Sequence, residues 1–337
     1  MAIDRAKKSG NRRSLEKKSS ITTILLAILV SILYVLNGGL PDSSTQEVTG
    51  EMRIHMIDVG NADAILIEQG ENTMLIDAGT PGVADDIIEY ISSLGITKLD
   101  VVVGTHPHND HMGGMAKVLE NIEVDTVYVP DILDMKSLQS KLWYNNFIDV
   151  INEIDDRRNE GVKEENQESI WHFPKDQNGD FVSFYLGEAF VQFMGPSEDE
   201  YSNENNYSIV MRVSYGDVDV LLSGDAEALA EKEVLATGYE LNSEIYKVGH
   251  HGSDTSSSET FVQMIDPDYA LISCGYGNSF DHPCKETMEL LEKEGVKVYR
   301  TDESGTVVVT TDGKNIEFNT EEDSYLSGPE LIKQKEN

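Results

Sequence analysis

Short apolar stretches separated by polar or glycine positions recur between residues 52 and 311, and they predict alternating strands and helices. In the first half we expect strands at 52–58, 63–68, 73–77, 99–104 and 124–129, with helices at 83–94, 113–120 and within 132–160. In the second half we expect strands at 181–186, 189–194, 207–215, 217–223, 243–248, 268–273, 296–300 and 305–311, with helices at 226–236, 258–265 and 284–294. Because strands cluster in both halves with helices between them, the pattern favours a mixed α/β sandwich over a single parallel sheet.

The N-terminus has a different pattern, in which basic residues precede a stretch without charge. Residues 1–20 carry seven Lys/Arg against two acids, and residues 21–36 are uncharged and almost entirely apolar. This order predicts that the start stays in the cytoplasm and that the rest is exported. We expect a domain bound to the cell membrane and facing outside, or a secreted one if the signal is cleaved. The predicted divisions are a basic N-terminus at 1–20, a transmembrane signal-anchor or signal peptide at 21–36, a linker at 37–51, one domain at 52–318 and a loose acidic tail at 319–337.

The charge of the chain limits the choice of partners. The formal net charge of −35 includes about +5 from the first 20 residues, so the remainder carries about −40. A surface this negative repels nucleic acid at long range, and no basic stripe with aromatic residues follows residue 20. No protein partner is predicted. Cys274 and Cys284 could pair after export or remain free thiols, and the sequence leaves both open.

A loop rich in histidine follows the predicted strand at 99–104. Residues 105–111 read Thr-His-Pro-His-Asn-Asp-His, which places His106, His108, Asp110 and His111 within six positions. Imidazole and carboxylate are the ligand types that suit zinc, manganese or iron(II). The loop therefore predicts a metal site.

Four further polar clusters lie at the ends of predicted strands. Asp225 follows one strand in Ser-Gly-Asp, and its two carboxylate oxygens could bridge two cations. His250 and His251 follow another strand beside glycines, which favours a functional pair. Asp77 is either a turn former or part of the site. His282 is either a functional residue or part of the start of helix 284–294, whereas the other two histidines are expected to pack in the fold: His55 and His172.

Together these residues have the composition of a metal-activated hydrolase. One or two divalent cations, Zn²⁺ or Mn²⁺, would lower the pKa of bound water from about 15.7 toward 7. Asp110 would orient the hydroxide or complete a metal shell. His251 or His282 would hydrogen-bond the substrate oxyanion or protonate the leaving group.

The motifs in this order resemble the metallo-β-lactamase superfamily, and more narrowly the extracytoplasmic domain of the ComEC competence family. The resemblance spans about 52–312 and includes Ile57–Ala64, Leu75–Gly79, Thr105–Gly114, Asn205–Val210, Ser223–Asp225, Lys247–Ser253 and Asp281–Pro283. It implies a four-layer αββα sandwich with the metals at one edge, between two sheets. ComEC proteins also carry a multi-helix channel region, whereas this chain has a single apolar segment.

The resemblance also implies roles by position. His106 and His108 would hold one cation, Asp110 and His111 the other, and Asp225 would bridge them. One of His250 and His251 would complete the ligand set of the second cation. We take His250 as the ligand and His251 as catalytic, although the sequence leaves this open. The superfamily's usual histidine between the first loop and the bridging aspartate has no counterpart. Asn206 and Ser208 lie nearest to that position and are expected to bind substrate.

The expected function is that of an exported metal-dependent phosphodiesterase or nuclease. DNA is one candidate substrate, and a small phosphodiester of the cell envelope is the other, which the charge of about −40 makes more favourable. A non-catalytic binding module stabilised by one metal is the alternative from a different class.

Overall fold

Two β-sheets form the centre of the computed structural model, which describes residues 48–132, 135–163 and 167–336. The first sheet has the order β15-β14-β1-β2-β3-β4-β5-β6 and the second the order β13-β12-β11-β10-β9-β8-β7. The strands of the first sheet are β1 Met52–Met56, β2 Ile65–Gln69, β3 Asn72–Ile76, β4 Lys98–Val103, β5 Glu123–Tyr128, β6 Trp171–His172, β14 Val307–Thr311 and β15 Ile316–Phe318. Those of the second are β7 Ser183–Leu186, β8 Ala189–Phe193, β9 Met211–Tyr215, β10 Val218–Leu222, β11 Ile245–Lys247, β12 Tyr269–Ile272 and β13 Lys297–Arg300.

Helices lie on the outer faces of both sheets. The α-helices are α1 Ala84–Ser93, α2 Asn109–Met112, α3 Met115–Asn121, α4 Leu142–Arg158, α5 Ala228–Thr237, α6 Glu259–Ile265, α7 Lys285–Glu294, α8 Thr301–Ser304 and α9 Gly328–Glu336. Two 3₁₀ turns, Glu204–Tyr207 and Gly249–Gly252, precede β9 and follow β11. Each 3₁₀ turn carries polar residues of the site described below.

Alternation along the strands explains the layers. In β3, Met74 and Ile76 pack between the two sheets, whereas Leu75 faces the helices α1 and α3. A separate apolar cluster fills the space between the second sheet and α5, α6 and α7. Strands that are apolar on both faces are typical of sheets covered on both sides. The predicted four-layer αββα sandwich is therefore confirmed.

Most predicted elements between residues 52 and 311 are present within a few residues of the expected bounds. The helix expected within 132–160 begins only at Leu142. The strand expected at 207–215 begins only at Met211, and its first expected residue, Tyr207, belongs to a 3₁₀ turn instead. The two short edge strands β6 and β15 were not predicted, since two or three residues carry no periodic pattern.

The expectation of a loose C-terminal tail is wrong. The buried Arg300 donates hydrogen bonds to the carbonyl oxygens of Ser324 and Leu326. Tyr325 donates its hydroxyl to the carbonyl of Val296 at 2.8 Å, and α9 buries Leu331. These contacts hold the acidic segment against the end of β13.

Two further sequence predictions concern the N-terminus and the cysteines. The basic segment 1–20, the apolar segment 21–36 and most of the linker 37–51 lie outside the described residues. No helix within the described ranges has both the length and the apolar character needed to cross a membrane. Cys274 is buried and Cys284 half-buried, and both are free thiols.

Candidate metal centre

Parallel pairing brings the polar strand ends to one edge of the sandwich. Strands β3 and β4 pair in parallel in the first sheet, as do β10 and β11 in the second. The carboxyl ends of parallel strands meet at the same edge. Backbone hydrogen bonds also join the loops, because Ala78 N donates to the His111 carbonyl at 2.7 Å and Asp63 N to the Asp110 carbonyl at 3.1 Å.

The carboxylate of Asp225 lies at the centre of the histidines. Its Oδ2 atom is 3.2 Å from Nε2 of His111, 3.7 Å from Nε2 of His106, 3.7 Å from Nε2 of His250 and 3.8 Å from Nε2 of His251. Asp225 is buried, with 1% of its surface exposed. Burial raises its pKa, but the neighbouring His111 and His251 outweigh burial and hold the pKa well below the usual range.

Within the described ranges, four groups of side chains have ligand atoms close enough to hold a metal ion. They are His106, His111 and Asp225; Asp110, His111 and His251; Asp63, Asp77 and His111; and Asp63, Asp225 and His251. His108 approaches the first group from outside, with its Nδ1 atom 3.1 Å from Nε2 of His106. The structure therefore brings together His106, His108, Asp110, His111 and Asp225, as the histidine loop and the Ser-Gly-Asp motif predict.

Three of these ligand atoms have no other partner. Nε2 of His111, Nε2 of His251 and Oδ1 of Asp225 are buried and lack a hydrogen-bond partner among the described residues. Buried polar atoms are normally satisfied, and a group left unpaired costs about 1–3 kcal/mol. Since these atoms are of the types that Zn²⁺ and Mn²⁺ accept, the donor set fits a divalent cation.

Asp77 belongs to the site rather than forming only a turn. Its carboxylate accepts hydrogen bonds from the backbone N and the hydroxyl of Thr105, both at 2.7 Å. Nδ1 of His111 lies 2.8 Å from Oδ2 of Asp77, so the ring presents Nε2 to the centre. Burial raises the pKa of Asp77, and His111 opposes that rise.

The two adjacent histidines occupy different places. His251 is buried, and its Nδ1 donates to the carbonyl of Ser273 at 2.9 Å, which leaves Nε2 free to face the centre. His250 is partly exposed, and its Nδ1 lies 3.0 Å from the hydroxyl of Thr255. Only His251 belongs to the four groups above. This geometry favours His251 as the ligand, whereas the sequence-based assignment took His250 as the ligand and His251 as the catalytic residue.

The backbone at these positions is strained. Asp77, His250 and His251 adopt φ values of 59°, 50° and 54°, in the left-handed region that favours glycine. Each such residue costs about 1–3 kcal/mol, and such strain concentrates at functional sites. At Gly224 (φ 52°) a Cβ atom would lie 3.0 Å from Oγ of Ser208, so glycine allows the close approach that places Asp225.

Asn206 and Ser208, expected to bind substrate, have another role in the structure. Ser208 is fully buried, and its Oγ accepts a hydrogen bond from Asp225 N at 3.0 Å. The buried Asn206 accepts hydrogen bonds from the backbone N atoms of Glu227 and Ala230 at 3.2 and 3.4 Å. Because both side chains are buried and engaged, they support the Asp225 loop rather than contact a substrate.

Asp63 and Lys247 were missing from the sequence-based set. Lys247 is fully buried and its Nζ lies 2.9 Å from Oδ2 of Asp63, whose Oδ1 lies 3.4 Å from Nδ1 of His251. Although burial raises the pKa of Asp63, Lys247 and His251 hold it well below the usual range. Asp63 lies within the family-like stretch Ile57–Ala64, but no feature of the nearby sequence indicates that it pairs with Lys247.

Asp110 and His282 flank the centre. Asp110 is partly exposed, with its Oδ2 3.7 Å from Nε2 of His251. The His282 ring lies 5.4 Å from that of His250 and stacks at 5.7 Å on the exposed ring of Phe280. Burial and the charges of His251 and His250 lower the pKa of His282 to about 4, so its ring is neutral at pH 7.

The two remaining histidines lie apart from the ligand groups. His55 is buried on β1, between the hydroxyl of Tyr90 and the carboxylate of Glu68, each 2.8 Å away, and its predicted packing role is confirmed. His172 is exposed on β6, with its ring 5.8 Å from that of Tyr128. The expectation that His172 packs inside is wrong, because β6 is an edge strand.

Comparison with known proteins agrees with this architecture. The family model of the metallo-beta-lactamase superfamily matches residues 57–276. ComE operon protein 3 of Bacillus subtilis (strain 168) is 25% identical over 278 residues, covering 77% of this chain and 33% of that protein. Competence protein ComA of Neisseria gonorrhoeae is 28% identical over 259 residues, covering 76% of this chain and 32% of that protein. A solved structure, the metallo-beta-lactamase fold protein YhfI from Bacillus subtilis, has 13% identity and a TM-score of 0.48, covering 78% of this chain and 100% of that one.

The chain spans about a third of the length of the curated relatives it matches. These relatives are competence proteins of the ComEC family, so the predicted ComEC resemblance is confirmed. Because the family model covers the histidine loop, the Asp225 motif and the His250-His251 pair, the chain belongs to the metallo-beta-lactamase superfamily.

Proposed function

We propose that this protein is a metal-dependent phosphodiesterase. The observation that carries the proposal is the convergence on Asp225 of four imidazole Nε2 atoms, all within 3.8 Å of its Oδ2. A carboxylate in this position can contact two cations at once, as paired-metal hydrolases require. The superfamily fold is generally hydrolytic, which supports a catalytic role over a purely structural one.

We assign the ligand roles from the family resemblance, and the short distances at the centre support them. His106 and His108 would hold the first cation, and His111, Asp110 and His251 the second. Asp225 would lie between the two cations. When bound, Zn²⁺ or Mn²⁺ would supply a hydroxide nucleophile near neutral pH and neutralise charge on the phosphoryl oxygens.

Two protein groups are placed to act on the substrate itself. His250 is the exposed member of the pair, and its Nε2 lies 3.7 Å from Asp225, close enough to contact a phosphoryl oxygen at the centre. His282 is neutral at pH 7, so its ring keeps one N–H that can donate a hydrogen bond to a substrate oxygen. We assign to His282 the stabilisation of a developing oxyanion, and to His250 the protonation of the leaving oxygen.

The substrate class is narrowed by charge and by one exposed ring. The charge of about −40 outside the first 20 residues disfavours long polyanions and favours short or small diesters. Phe280 leaves 64% of its surface exposed while it stacks on His282. A planar group of the substrate, such as a nucleobase, could stack on this ring beside the phosphoryl site.

The location of the activity rests on the N-terminal sequence. The basic segment 1–20 before the apolar segment 21–36 supports a domain held at the outer face of the cell membrane, or released if the signal is cleaved. An external phosphodiester, either DNA or a component of the cell envelope, would then be the accessible substrate.

Turnover of small esters by the full chain tests the proposal. With Mn²⁺ or Zn²⁺ added, we expect cleavage of bis(p-nitrophenyl) phosphate, with much slower cleavage of the monoester p-nitrophenyl phosphate and of a chromogenic lactam. Asp225→Asn and His108→Ala are the matched inactive controls. If metal binds but no ester is cleaved above those controls, the non-catalytic binding module becomes the better account.

A second comparison separates the substrate classes. Thymidine 5′-(p-nitrophenyl phosphate), methyl p-nitrophenyl phosphate and p-nitrophenyl phosphorylcholine share one leaving group and differ in the other ester. Preference for the thymidine ester that Phe280→Ala abolishes would support a nucleotide substrate. Preference for the choline ester would support an envelope substrate.

A further inference from the structure

Each buried ligand histidine has a partner on its second ring nitrogen. Nδ1 of His106 lies 3.1 Å from the hydroxyl of Thr105, Nδ1 of His111 contacts Asp77, and Nδ1 of His251 contacts the Ser273 carbonyl. A partner of this kind fixes the tautomer and the ring orientation of a metal-bound histidine. His108 is the remaining histidine of the loop, and its corresponding partner is a residue that no motif assigned to the site.

We propose that Glu204 is the positioning residue for His108. Oε2 of Glu204 lies 3.2 Å from Nε2 of His108. With the proton of the ring on Nε2, the nitrogen that faces the Glu204 carboxylate, the lone pair lies on Nδ1, which is 3.1 Å from Nε2 of His106. Two nitrogens that share one tetrahedral zinc at about 2.0–2.1 Å are separated by about 3.3 Å, so this pair has nearly the spacing of two ligands of one ion.

Glu204 is itself held on both sides. Its Oε2 atom lies 3.0 Å from Nζ of Lys141, and its Oε1 atom accepts a hydrogen bond from the Ser137 hydroxyl at 3.0 Å. Both partners precede α4, so the segment before that helix contributes to the orientation of a metal ligand in the loop after β4.

The backbone on either side of Glu204 is fixed as well. The side-chain amides of Asn203 and Asn205 donate to the carboxylate of Glu227 at 2.8 and 2.9 Å. These contacts anchor the 3₁₀ turn Glu204–Tyr207 to the start of α5. The carboxylate of Glu204 is therefore presented from a constrained backbone.

The position of Glu204 gives it a specific task. The usual third histidine of the first metal site has no counterpart in this chain, so that site depends on His106, His108 and the shared Asp225. A carboxylate on the far nitrogen makes an imidazole a better metal ligand. Glu204 thus makes His108 a stronger ligand in the first metal site, which lacks the third histidine.

Metal titration of the full chain tests this role, which rests on the metal binding of the proposed function but not on its substrate. The stoichiometry, affinity and visible absorption of bound Co²⁺ are measured for wild type, Glu204→Ala, Glu204→Gln and Glu200→Ala. We expect Glu204→Ala to weaken the site that contains His108 by about 10–100-fold and to change its spectrum. Glu204→Gln, which keeps an acceptor for Nε2–H, should recover most of the affinity. Glu200→Ala removes the same charge at an exposed position four residues away and should bind Co²⁺ as wild type does.

A double-variant cycle separates positioning from a general structural effect. Once His108→Ala has removed the ring, adding Glu204→Ala should cause little further loss of Co²⁺ affinity, because the two residues act as a unit. Additive losses, or a Glu204→Ala protein with wild-type stoichiometry, affinity and spectrum, would overturn the proposal. If Glu204→Ala fails to fold, Lys141→Met decides: it removes the ammonium that holds Glu204, so it should weaken the same site relative to wild type, and wild-type Co²⁺ affinity and spectrum in Lys141→Met would overturn the proposal.

The outcomes also separate this role from the proposed function. Normal Co²⁺ binding that depends on Glu204, without any ester cleavage, would contradict the phosphodiesterase and leave the positioning role intact. If wild type cleaves esters but Glu204→Ala binds Co²⁺ as wild type does, the phosphodiesterase is supported and the positioning role is contradicted. A wild type that binds no metal would contradict both.

Discussion

Asp77 holds His111 by a 2.8 Å contact between Oδ2 and Nδ1, and Asp77 also accepts two hydrogen bonds from Thr105, the residue before His106. One buried carboxylate therefore orients the ring of one predicted ligand and fixes the backbone beside another.

We expect Asp77→Asn to weaken metal binding by about 10–100-fold, because an amide holds the His111 ring less firmly and supports a less basic imidazole. Competition with a chromophoric chelator measures the affinity. Asp86→Asn, an exposed aspartate on α1, is the control and should leave the affinity unchanged. Equal affinities for wild type and Asp77→Asn would show that Asp77 has only a turn-forming role.

His250 and His251 should separate metal binding from catalysis. We expect His251→Ala to lose bound metal, since its Nε2 faces the centre with no other partner, and therefore to lose turnover as well. His250→Ala should retain bound metal and lose turnover by about 100-fold or more, as expected for loss of a general acid. Elemental analysis of the purified variants together with bis(p-nitrophenyl) phosphate turnover measures both effects. Loss of metal from His250→Ala but not from His251→Ala would restore the sequence-based assignment.

Removing one partner of the buried ion pair between Lys247 and Asp63 should destabilise the fold strongly. Lys247→Met leaves a buried carboxylate without its cation, so we expect the free energy of unfolding to fall by about 3–5 kcal/mol. Lys98→Met, which breaks a partly exposed pair with Asp125, should cost far less. Urea unfolding in the presence of a chelator measures both, and adding Asp63→Asn to Lys247→Met should recover part of the loss. A similar cost for the two lysine variants would contradict this account.

His55 should make the fold less stable in mild acid. Burial lowers the pKa of His55 below its usual value and outweighs the opposing effect of Glu68. Below about pH 6.5 the unfolded chain then binds a proton that the folded chain does not, so stability is full above that pH and falls as the pH decreases. Between pH 7.5 and 5.5, wild type should lose more unfolding free energy than His55→Gln, by at most about 1.4 kcal/mol. The metal centre is the same in both proteins, so its contribution cancels in this comparison, and equal losses would exclude His55 as the cause.

The sequence was sufficient where neighbouring residues form a site. The candidate ligands His106, His108, Asp110 and His111 lie within six positions after one strand, so the loop alone was enough to propose them. Asp225 was found because it ends another strand of a recognisable pattern. The order of elements was likewise sufficient for the layered sandwich, since most strands and the longer helices between residues 83 and 294 carry a periodic pattern.

The features that the sequence could not predict are contacts between distant segments and the different roles of two adjacent residues. The pairing of Asp63 with Lys247 joins the two sheets, and the contact of Glu204 with His108 joins the 3₁₀ turn to the loop after β4. Adjacent histidines cannot be distinguished by spacing. The left-handed backbone at His250 and His251 directs one ring into the core and leaves the other partly exposed. The acidic tail lacked an apolar pattern, yet Arg300 binds its carbonyl oxygens.

Joint titration of bound metal and turnover tests the central claim most directly. The full chain is first freed of metal with a chelator and then titrated with Zn²⁺ or Mn²⁺. Bound metal and cleavage of bis(p-nitrophenyl) phosphate are measured in the same samples, and Asp225→Asn is treated in parallel. We predict that turnover is absent without metal, rises with the metal bound to wild type, and stays absent in Asp225→Asn, which should also bind less metal. Turnover that persists in stripped protein, or that Asp225→Asn shares with wild type, would contradict a metal-dependent phosphodiesterase built on this centre.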